Sequence, residues 1–291
     1  MRVAVRRVVL CAVLAAVGAS VYGQQLTLPR QPGSVRFAAI GDMGTGKTPQ
    51  YEVAARMEMF RQAFPFDFVI TLGDNIYGGN SAADFIGKFE VPYKPLLDAG
   101  VKFYASLGNH DSPTQRVYKP FNMGGRQYYS YRKGNAQFFA LDSNYMSPRQ
   151  LAWLEKELKD SDADWKIAYF HHPLYSSAAY HGSSVELRLV LEPLFVTYGV
   201  QAVFAGHEHV YERVKPQNGI SYFIEGAAGQ LRKGNLTKGT TLTAAAYDQD
   251  LSFILVEIAG DTLNFQTISR TGMTVDSGVI LRRPAGAPAT K

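Results

Sequence analysis

The sequence predicts one α/β domain with mixed β-sheets, and three observations lead to this prediction. Short apolar runs alternate along the chain with segments whose apolar residues recur at helical spacing. The C-terminal part instead alternates apolar and polar residues around turns, which indicates antiparallel strands. The chain has 291 residues, of which 46% are hydrophobic and 19% charged. This composition excludes a fully disordered, fibrous or multi-span membrane protein.

The predicted elements follow one another with no internal repeat and no linker long enough to divide the chain. Helices are predicted from apolar periodicity, and the second also has a Ser-Pro start signal at Ser147. The predicted strands are 36–40, 67–72, 102–107, 165–170, 201–205 and 221–225, and the predicted helices are 51–64, 147–159 and 184–198. Turns are predicted at Gly134-Asn135 in a hairpin, and at Gly260-Asp261 and Thr271-Gly272 between the C-terminal strands.

Residues 1–23 are typical of a signal peptide, with a basic head, an apolar run and a small-residue exit. The apolar run over 8–17 is shorter than the roughly 20 residues that span a bilayer. We therefore expect export to a secreted or periplasmic location, with an uncleaved anchor as the alternative. Cys11, the only cysteine, lies in this segment, so the mature chain would have no disulfide. Residues 24–34 are predicted to be a lead-in linker, 35–283 the domain and 284–291 a disordered tail.

The charge balance does not indicate a nucleic-acid partner. The chain has 30 Lys and Arg against 25 Asp and Glu, and without the three arginines of the signal segment 27 basic residues remain. Nucleic-acid-binding domains keep a strong basic face, which this distribution lacks. We expect no membrane span in the mature chain, and the sequence makes no prediction of the oligomeric state.

Side chains able to bind a metal follow five of the predicted strands directly. In order along the chain they are Asp42, Asp74, Asn109, His171, and the pair His207 and His209. Ligand sites of α/β sheets assemble at the carboxyl ends of strands, so these side chains are expected to lie together. Glycine opens four of the five clusters, which lets the backbone turn sharply.

The mixture of oxygen and imidazole ligands suits iron, manganese or zinc better than calcium or magnesium alone. Six or seven ligands are too many for one tetrahedral zinc, and they fit two metals that share a bridging carboxylate. Such pairs lie about 3.5–4 Å apart and clamp a phosphoryl group between them. A single Gly-Asp is usually a turn and a single histidine usually an ordinary polar residue. Five independent clusters together favour a metal site.

These motifs resemble those of the calcineurin-like metallophosphoesterases and, among them, the purple acid phosphatases. The family pattern is Asp-x-Gly, Gly-Asp-x-x-Tyr, Gly-Asn-His-Asp/Glu, His-x-Pro and Gly-His-x-His. All five motifs occur here in order, starting at Asp42, Gly73, Gly108, His171 and Gly206. Tyr77 ends the second motif and narrows the resemblance to the purple enzymes, and the short chain is similar to the small tartrate-resistant type.

The resemblance implies a four-layer α/β/β/α sandwich of two mixed sheets flanked by helices, and an exported acid-phosphatase-like phosphomonoesterase that uses a metal-bound hydroxide. It also implies a binuclear centre of Fe(III) and a divalent Fe, Zn or Mn ion. Carried over by position, the first metal is held by Asp42, Tyr77 and His209, the second by Asn109, His171 and His207, and Asp74 bridges them. His110 and His181 are expected to face the phosphate of a phosphate-ester substrate.

Other interpretations stay open at this point. The same fold could serve a phosphodiesterase, a nucleotidase, a phosphoprotein phosphatase or a non-catalytic binding module. Residues 41–48 also match the phosphate-binding loop of nucleotide-binding proteins, Gly-x-x-x-x-Gly-Lys-Thr, although Pro49 follows and export would meet little ATP. His172 has no assigned role. The Gly- and Thr-rich segment 226–246 is either a rim loop that selects substrate or a connection, with the former slightly favoured.

Overall fold

The computed structural model describes residues 26–283. The predicted signal peptide over 1–23 and the predicted tail over 284–291 lie outside the described residues. Among those that are described, no helix combines the length and the apolar composition that crossing a bilayer requires.

Thirteen strands are present in the described part of the chain, and they form two sheets. In chain order they are β1 (Val35–Ile40), β2 (Phe68–Leu72), β3 (Lys102–Ser106), β4 (Tyr129–Lys133), β5 (Ala136–Ala140), β6 (Trp165–Phe170), β7 (Ala202–Ala205), β8 (Tyr211–Gln217), β9 (Ile220–Glu225), β10 (Thr243–Tyr247), β11 (Ser252–Ala259), β12 (Thr262–Ser269) and β13 (Thr274–Leu281). The first sheet has the order β13-β12-β11-β1-β2-β3, and the second has the order β10-β8-β9-β7-β6-β5-β4.

Five α-helices connect or flank these strands. They are α1 (Thr48–Ala63), α2 (Ala82–Phe85), α3 (Lys94–Asp98), α4 (Pro148–Asp160) and α5 (Val185–Tyr198), together with a π-helical turn (Ile86–Glu90) and two 3₁₀ turns (Pro113–Val117 and Lys119–Phe121). The predicted start of α4 is present, since the hydroxyl of Ser147 accepts a hydrogen bond from the Gln150 N–H and Pro148 occupies the first turn.

The two sheets pack face to face through a layer of aromatic rings. Phe37 of β1 contacts Phe138 and Phe204 of the second sheet edge-on, with ring centroids 5.2 and 5.9 Å apart. Phe223 and Phe265 make a similar contact between β9 and β12 at 4.9 Å. Edge-to-face packing of this kind adds to the stabilisation that burial of the rings already gives.

Successive residues of the central strands point to different layers. In β5, Phe138 packs between the sheets, whereas the next residue, Phe139, packs against α4 and α5 with Leu154 and Phe195. On the far side of the first sheet, Phe60 of α1 contacts Phe253 of β11. Helices therefore cover the outer faces of both sheets. The predicted fold class, two mixed sheets flanked by helices, is confirmed.

The parallel strands place their carboxyl ends at one edge of the sandwich. Strands β1, β2 and β3 are mutually parallel in the first sheet, and β5, β6, β7 and β9 are parallel in the second. A backbone hydrogen bond joins the two sets of strand ends: the Ala228 N–H, after β9, donates to the Gly41 carbonyl, after β1, at 3.2 Å. The loops that follow the strands thus meet at one place.

The sequence did not predict β8 and β10. Strand β8 carries charged residues and Pro216 within seven residues, and β10 is a short edge strand containing three alanines. Both features weaken the strand signal, and the neighbouring strand supplies the pairing that the local sequence does not indicate.

Candidate metal centre

Three of the residues at the strand ends have a left-handed backbone. Asp42, Asp74 and His207 have φ values of 54°, 51° and 70°. This conformation is uncommon for residues other than glycine and costs on the order of 1 kcal/mol or more at each position, and such strain clusters at functional sites. The sharp turns expected of the glycines are therefore made in part by the acidic and histidine residues themselves.

Gly108 and Gly206 are required because the structure has no space for a side chain at either position. A Cβ atom on Gly108 would lie 2.1 Å from Oδ1 of Asp74, and one on Gly206 would lie 2.6 Å from Oδ2 of Asp42. Any side chain at either position would displace a carboxylate of the site. The glycines of these motifs let the backbone of one loop approach the acidic side chain of another.

The first group of side chains consists of Asp42, Tyr77 and His209. The Tyr77 hydroxyl lies 3.1 Å from Oδ1 of Asp42 and 3.3 Å from Nε2 of His209, and that nitrogen lies 3.2 Å from the same carboxylate oxygen. The three donor atoms converge from the loops after β1, β2 and β7. An oxygen, a phenol and an imidazole are thus close enough to share one ion.

The second group consists of Asn109, His171 and His207. Nε2 of His171 lies 3.0 Å from Oδ1 of Asn109 and 3.1 Å from Nδ1 of His207. Asp74 lies beside this group, with Oδ1 at 3.5 Å from His171 Nε2. Single donor atoms of Asp42, Asp74 and His171 fall within 4.8 Å of one another. Asp74 is therefore near both groups.

The ring of His171 is oriented by the backbone. Its Nδ1 lies 2.8 Å from the Leu72 carbonyl oxygen, which can only accept a hydrogen bond. Nδ1 therefore carries the proton, and Nε2 presents its lone pair to Asn109 and His207. Metal-binding histidines are commonly fixed in this way by a carbonyl behind the ring.

His110 and His181 lie at the opening of the site. The His110 side chain is 56% exposed, its backbone N–H donates to Oδ1 of Asp74 at 2.9 Å, and its ring lies 4.9 Å from that of Tyr77. His181 approaches from the loop before α5, with Nδ1 at 2.6 Å from Nε2 of His207. Every residue selected from the sequence is therefore part of one connected cluster.

Burial shifts the pKa values of the cluster toward uncharged side chains. Loss of hydration, followed by the charge of Asp74, raises the pKa of Asp42 well above its usual value. Loss of hydration likewise lowers the pKa of His171, His207 and His209, so these imidazoles stay neutral. Neutral imidazoles and closely spaced carboxylates are the donor set that a bound cation stabilises, and the residues fit a pair of metal ions.

Two residues near the cluster were not assigned a role from the sequence. Asp111, the last residue of the Gly-Asn-His-Asp motif, accepts hydrogen bonds from the N–H groups of Asn75, Ile76 and Gly108, and so ties two of the loops together. Glu208, between the two histidines of the last motif, is fully buried. In the sequence, only the position of Glu208 inside the Gly-His-x-His motif indicated a role for this residue.

His172, whose role was left open, belongs to the histidine cluster. Its Nδ1 lies 2.9 Å from the Ser143 hydroxyl, and its ring centroid lies 4.4 Å from that of His207. Donor atoms of His171, His172 and His207 fall within 4.8 Å of one another. His172 also lines a cavity of about 340 Å³ that includes Asn109 and Asp142, next to the second group.

The match to a phosphate-binding loop has no structural counterpart. The amides that would hold a phosphate are used internally, since Gly44 N–H donates to the Asp74 carbonyl, Gly46 N–H to the Gln50 side chain and Lys47 N–H to the Thr45 hydroxyl. Lys47 is exposed. Residues 41–48 therefore turn the chain toward the acidic cluster and do not surround an anion.

The segment 226–246 is joined to the rim of the site. The N–H of Arg232 donates to the His209 carbonyl at 2.9 Å, and the side chain of Asn235 donates to the Glu208 carboxylate at 2.8 Å. Ala178 and Leu236 form a β-bridge that connects the segment to the loop carrying His181. This arrangement agrees with the interpretation as a rim loop.

Comparison with known proteins gives a family match over the region of the motifs. The sequence model of the family described as Calcineurin-like phosphoesterase matches residues 35–211. Tartrate-resistant acid phosphatase type 5 of Mus musculus is 29% identical over 238 residues, which is 67% of this chain and 72% of the mouse protein.

Solved structures agree with the fold. A purple acid phosphatase from yellow lupin seeds superposes with a TM-score of 0.72 at 20% identity, over 88% of this chain and 55% of the lupin chain. GAP50, described as the anchor in the inner membrane complex of Plasmodium, superposes with a TM-score of 0.73 at 19% identity, over 87% of this chain and 90% of that one. At these identities the likeness concerns the fold alone.

Proposed function

The chain belongs to the calcineurin-like phosphoesterase family, and from this premise we propose that it is an exported, acid-phosphatase-like enzyme that hydrolyses phosphate monoesters. The similarity to tartrate-resistant acid phosphatase type 5 supports the monoester as substrate. The N-terminal segment 1–23 supports export, because its basic head and short apolar run are those of a signal peptide. Residues 35–283 are proposed to act as one catalytic domain.

The observation that carries the proposal is the convergence of two sets of donor atoms beside one carboxylate. Asp42, Tyr77 and His209 approach within 3.1–3.3 Å of one another. Asn109 and His207 each lie within 3.1 Å of His171 Nε2. The first set is proposed to hold Fe(III), which a phenolate stabilises, and the second a divalent Fe, Zn or Mn ion. Asp74 is proposed to bridge them.

Two metal ions bound at these donors would supply the positive charge that lets water attack a phosphomonoester dianion. The protein contributes the placement of the substrate. His110 lies at the opening beside Asp74 and Tyr77, and His181 lies on the other side against His207. Each imidazole can donate a hydrogen bond to the phosphate, and donors already in position stabilise the charge that develops there.

Phosphodiesters, nucleotides and phosphoproteins are alternative substrates on the same fold, and a non-catalytic binding module is an alternative of another class. The complete set of donor side chains favours an enzyme, because a binding role alone does not need six metal-binding side chains and a bridging carboxylate in one place.

Hydrolysis of paired chromogenic substrates tests the proposal. The protein is purified with its metals, and 4-nitrophenyl phosphate is compared with bis(4-nitrophenyl) phosphate. The proposal predicts that the monoester is hydrolysed with the higher kcat/KM and that a chelator abolishes this activity. Preferred hydrolysis of the diester would instead favour a phosphodiesterase. No hydrolysis of either, together with less than about one metal per chain, would favour a binding module.

A further inference from the structure

Arg232, on the rim of the site, has no acidic partner within the described residues. Its backbone N–H is fixed to the His209 carbonyl, but its Nη1 is buried and makes no hydrogen bond. Of the nearby carboxylates, Glu208 is already occupied by the N–H groups of His181 and Gly182 and by the amide of Asn235. A buried guanidinium nitrogen without an acceptor is costly and calls for a ligand.

A chain of ring contacts connects this guanidinium to the proposed metal centre. The Cζ of Arg232 lies 3.5 Å from the centre of the Tyr180 ring. Tyr180 in turn lies 4.5 Å from the ring of His181, which lies 3.9 Å from that of His207. The Tyr180 side chain is 65% exposed. The contacts therefore extend from the proposed metal centre to an exposed tyrosine at its rim.

Arg232 lies next to both histidine-bearing loops of the site. Its backbone N–H donates to the His209 carbonyl, and its Cζ lies over the ring of Tyr180, the residue before His181. A guanidinium beside bound metal ions is unfavourable because like charges repel. A substrate with a second anionic group would offset this repulsion.

We propose that Arg232, held over the ring of Tyr180, binds a second anionic group on the leaving-group side of the substrate. The proposed function places the scissile phosphate between His110 and His181, so a group bound by Arg232 is assigned to the part of the molecule that departs. This inference rests on the proposed phosphomonoesterase function and adds the substrate class. The preferred substrates are phosphate esters or anhydrides whose leaving group carries a carboxylate or another phosphate.

Matched substrate pairs test this inference. Phenyl phosphate is compared with 4-carboxyphenyl phosphate, and AMP with ADP, in the wild type and in Arg232→Met. In the variant, kcat/KM is expected to fall about 10- to 100-fold more for the member of each pair that carries the second anionic group than for its partner. A selective loss in the first pair identifies a carboxylate, and in the second pair a phosphate.

Two further variants control for charge and folding. Lys233→Met removes a positive charge one residue along, from a side chain that lines a separate cavity with Pro49 and Tyr247. In Lys233→Met, the ratio of the two kcat/KM values within each substrate pair should change less than about twofold. Arg232→Lys keeps the positive charge but lacks the planar guanidinium, so it should lower the kcat/KM ratio of the substrate with the second anion to its partner by at least about threefold. This variant tests the inference if Arg232→Met does not fold.

Binding without turnover gives an independent result. Calorimetry with phenylphosphonate and 4-phosphonobenzoate should show a loss of affinity in Arg232→Met for the carboxylated compound selectively. Equal effects on both members of every pair would overturn the inference while leaving the phosphatase function in place. If the metal-loaded wild type hydrolyses none of the four substrates, the proposed function fails and the inference falls with it.

Discussion

The buried carboxylate of Glu208 accepts a hydrogen bond from the backbone N–H of His181 at 2.8 Å. Glu208 lies in the turn after β7, whereas His181 comes from the loop before α5, so this bond joins two separate parts of the site. The adjoining Gly182 N–H donates to the same oxygen at 2.6 Å. The position of His181 at the opening is therefore set by a residue that does not itself face the substrate.

Replacement of Glu208 by alanine should displace His181. It would leave three donors without their acceptor, and the Asn235 amide among them is buried, so we expect a loss of about 2–4 kcal/mol of stability and at least a tenfold fall in kcat. The thermal midpoint, the metal content and the rate of 4-nitrophenyl phosphate hydrolysis measure these effects. His181→Asn is the control, since it should lower kcat without the loss of stability. Normal kcat in Glu208→Ala would show that the bond does not position His181.

The proposed Fe(III) site predicts that Tyr77→Phe lacks a visible absorption band that the iron-loaded wild type has. The Tyr77 hydroxyl lies 3.1 Å from Asp42 and 3.3 Å from His209, and a phenolate bound to Fe(III) absorbs in the visible range. The absorption spectrum of the iron-loaded variant should lack the broad band of the wild type. Tyr145→Phe, at a tyrosine that is 75% exposed, is the control and should keep it. Retention of the band in Tyr77→Phe would assign the colour to another group.

Lys47→Ala should leave hydrolysis within about twofold of the wild type. The side chain is exposed, and the amides around it donate to internal acceptors, so no phosphate depends on it. Asp42→Asn, five residues earlier, should in contrast abolish activity by removing a proposed metal ligand. Steady-state rates of the two variants distinguish them. Loss of activity in Lys47→Ala would restore the nucleotide-binding interpretation of residues 41–48.

Glu225 should make the stability of the metal-free protein depend on pH. Burial, opposed by hydrogen bonds from Ser252 and the Ala227 N–H, raises the pKa of Glu225 from 4.5 to about 8. The folded chain thus holds this proton more tightly than the unfolded chain does. The stabilisation is complete below pH 4.5 and is lost as the pH rises through 8.

Urea unfolding of the metal-free wild type and Glu225→Gln at pH 6 and pH 9 measures this effect. The amide of glutamine can replace the protonated carboxyl and donate to Ser252, so the variant should lose less stability than the wild type over this range, by a few kcal/mol. Equal losses in the two proteins would show that Glu225 has the same pKa in the folded and unfolded states.

The central strands and the clustering of the site residues could be predicted from local sequence because each strand is a short apolar run that ends in polar residues. The observed β1 and β6 agree with the predicted 36–40 and 165–170 to within one residue. The predicted bounds of α4 also agree to within one residue, whereas α1 begins three residues before the predicted start, at Thr48. Parallel strands then bring their ends together whatever the details of the loops.

The remaining features depend on contacts that local sequence does not specify. Strand β8 forms through pairing with β9 on one side and β10 on the other, across a segment with weak strand propensity. The roles of Glu208 and Arg232 depend on a loop some 20–50 residues away in the chain folding back against His181. Such side chains look like ordinary surface charges until the partners are known.

The proposed hydrolysis requires two metal ions held by side chains from both sheets, so the decisive measurement is the metal content of the purified protein and of Asp74→Asn. We predict about two ions per wild-type chain, no more than about one in the variant, and a loss of hydrolysis on the order of 1,000-fold. A wild type that hydrolyses phosphate esters with less than one metal per chain would contradict this account. So would an Asp74→Asn variant that keeps both ions and the full rate.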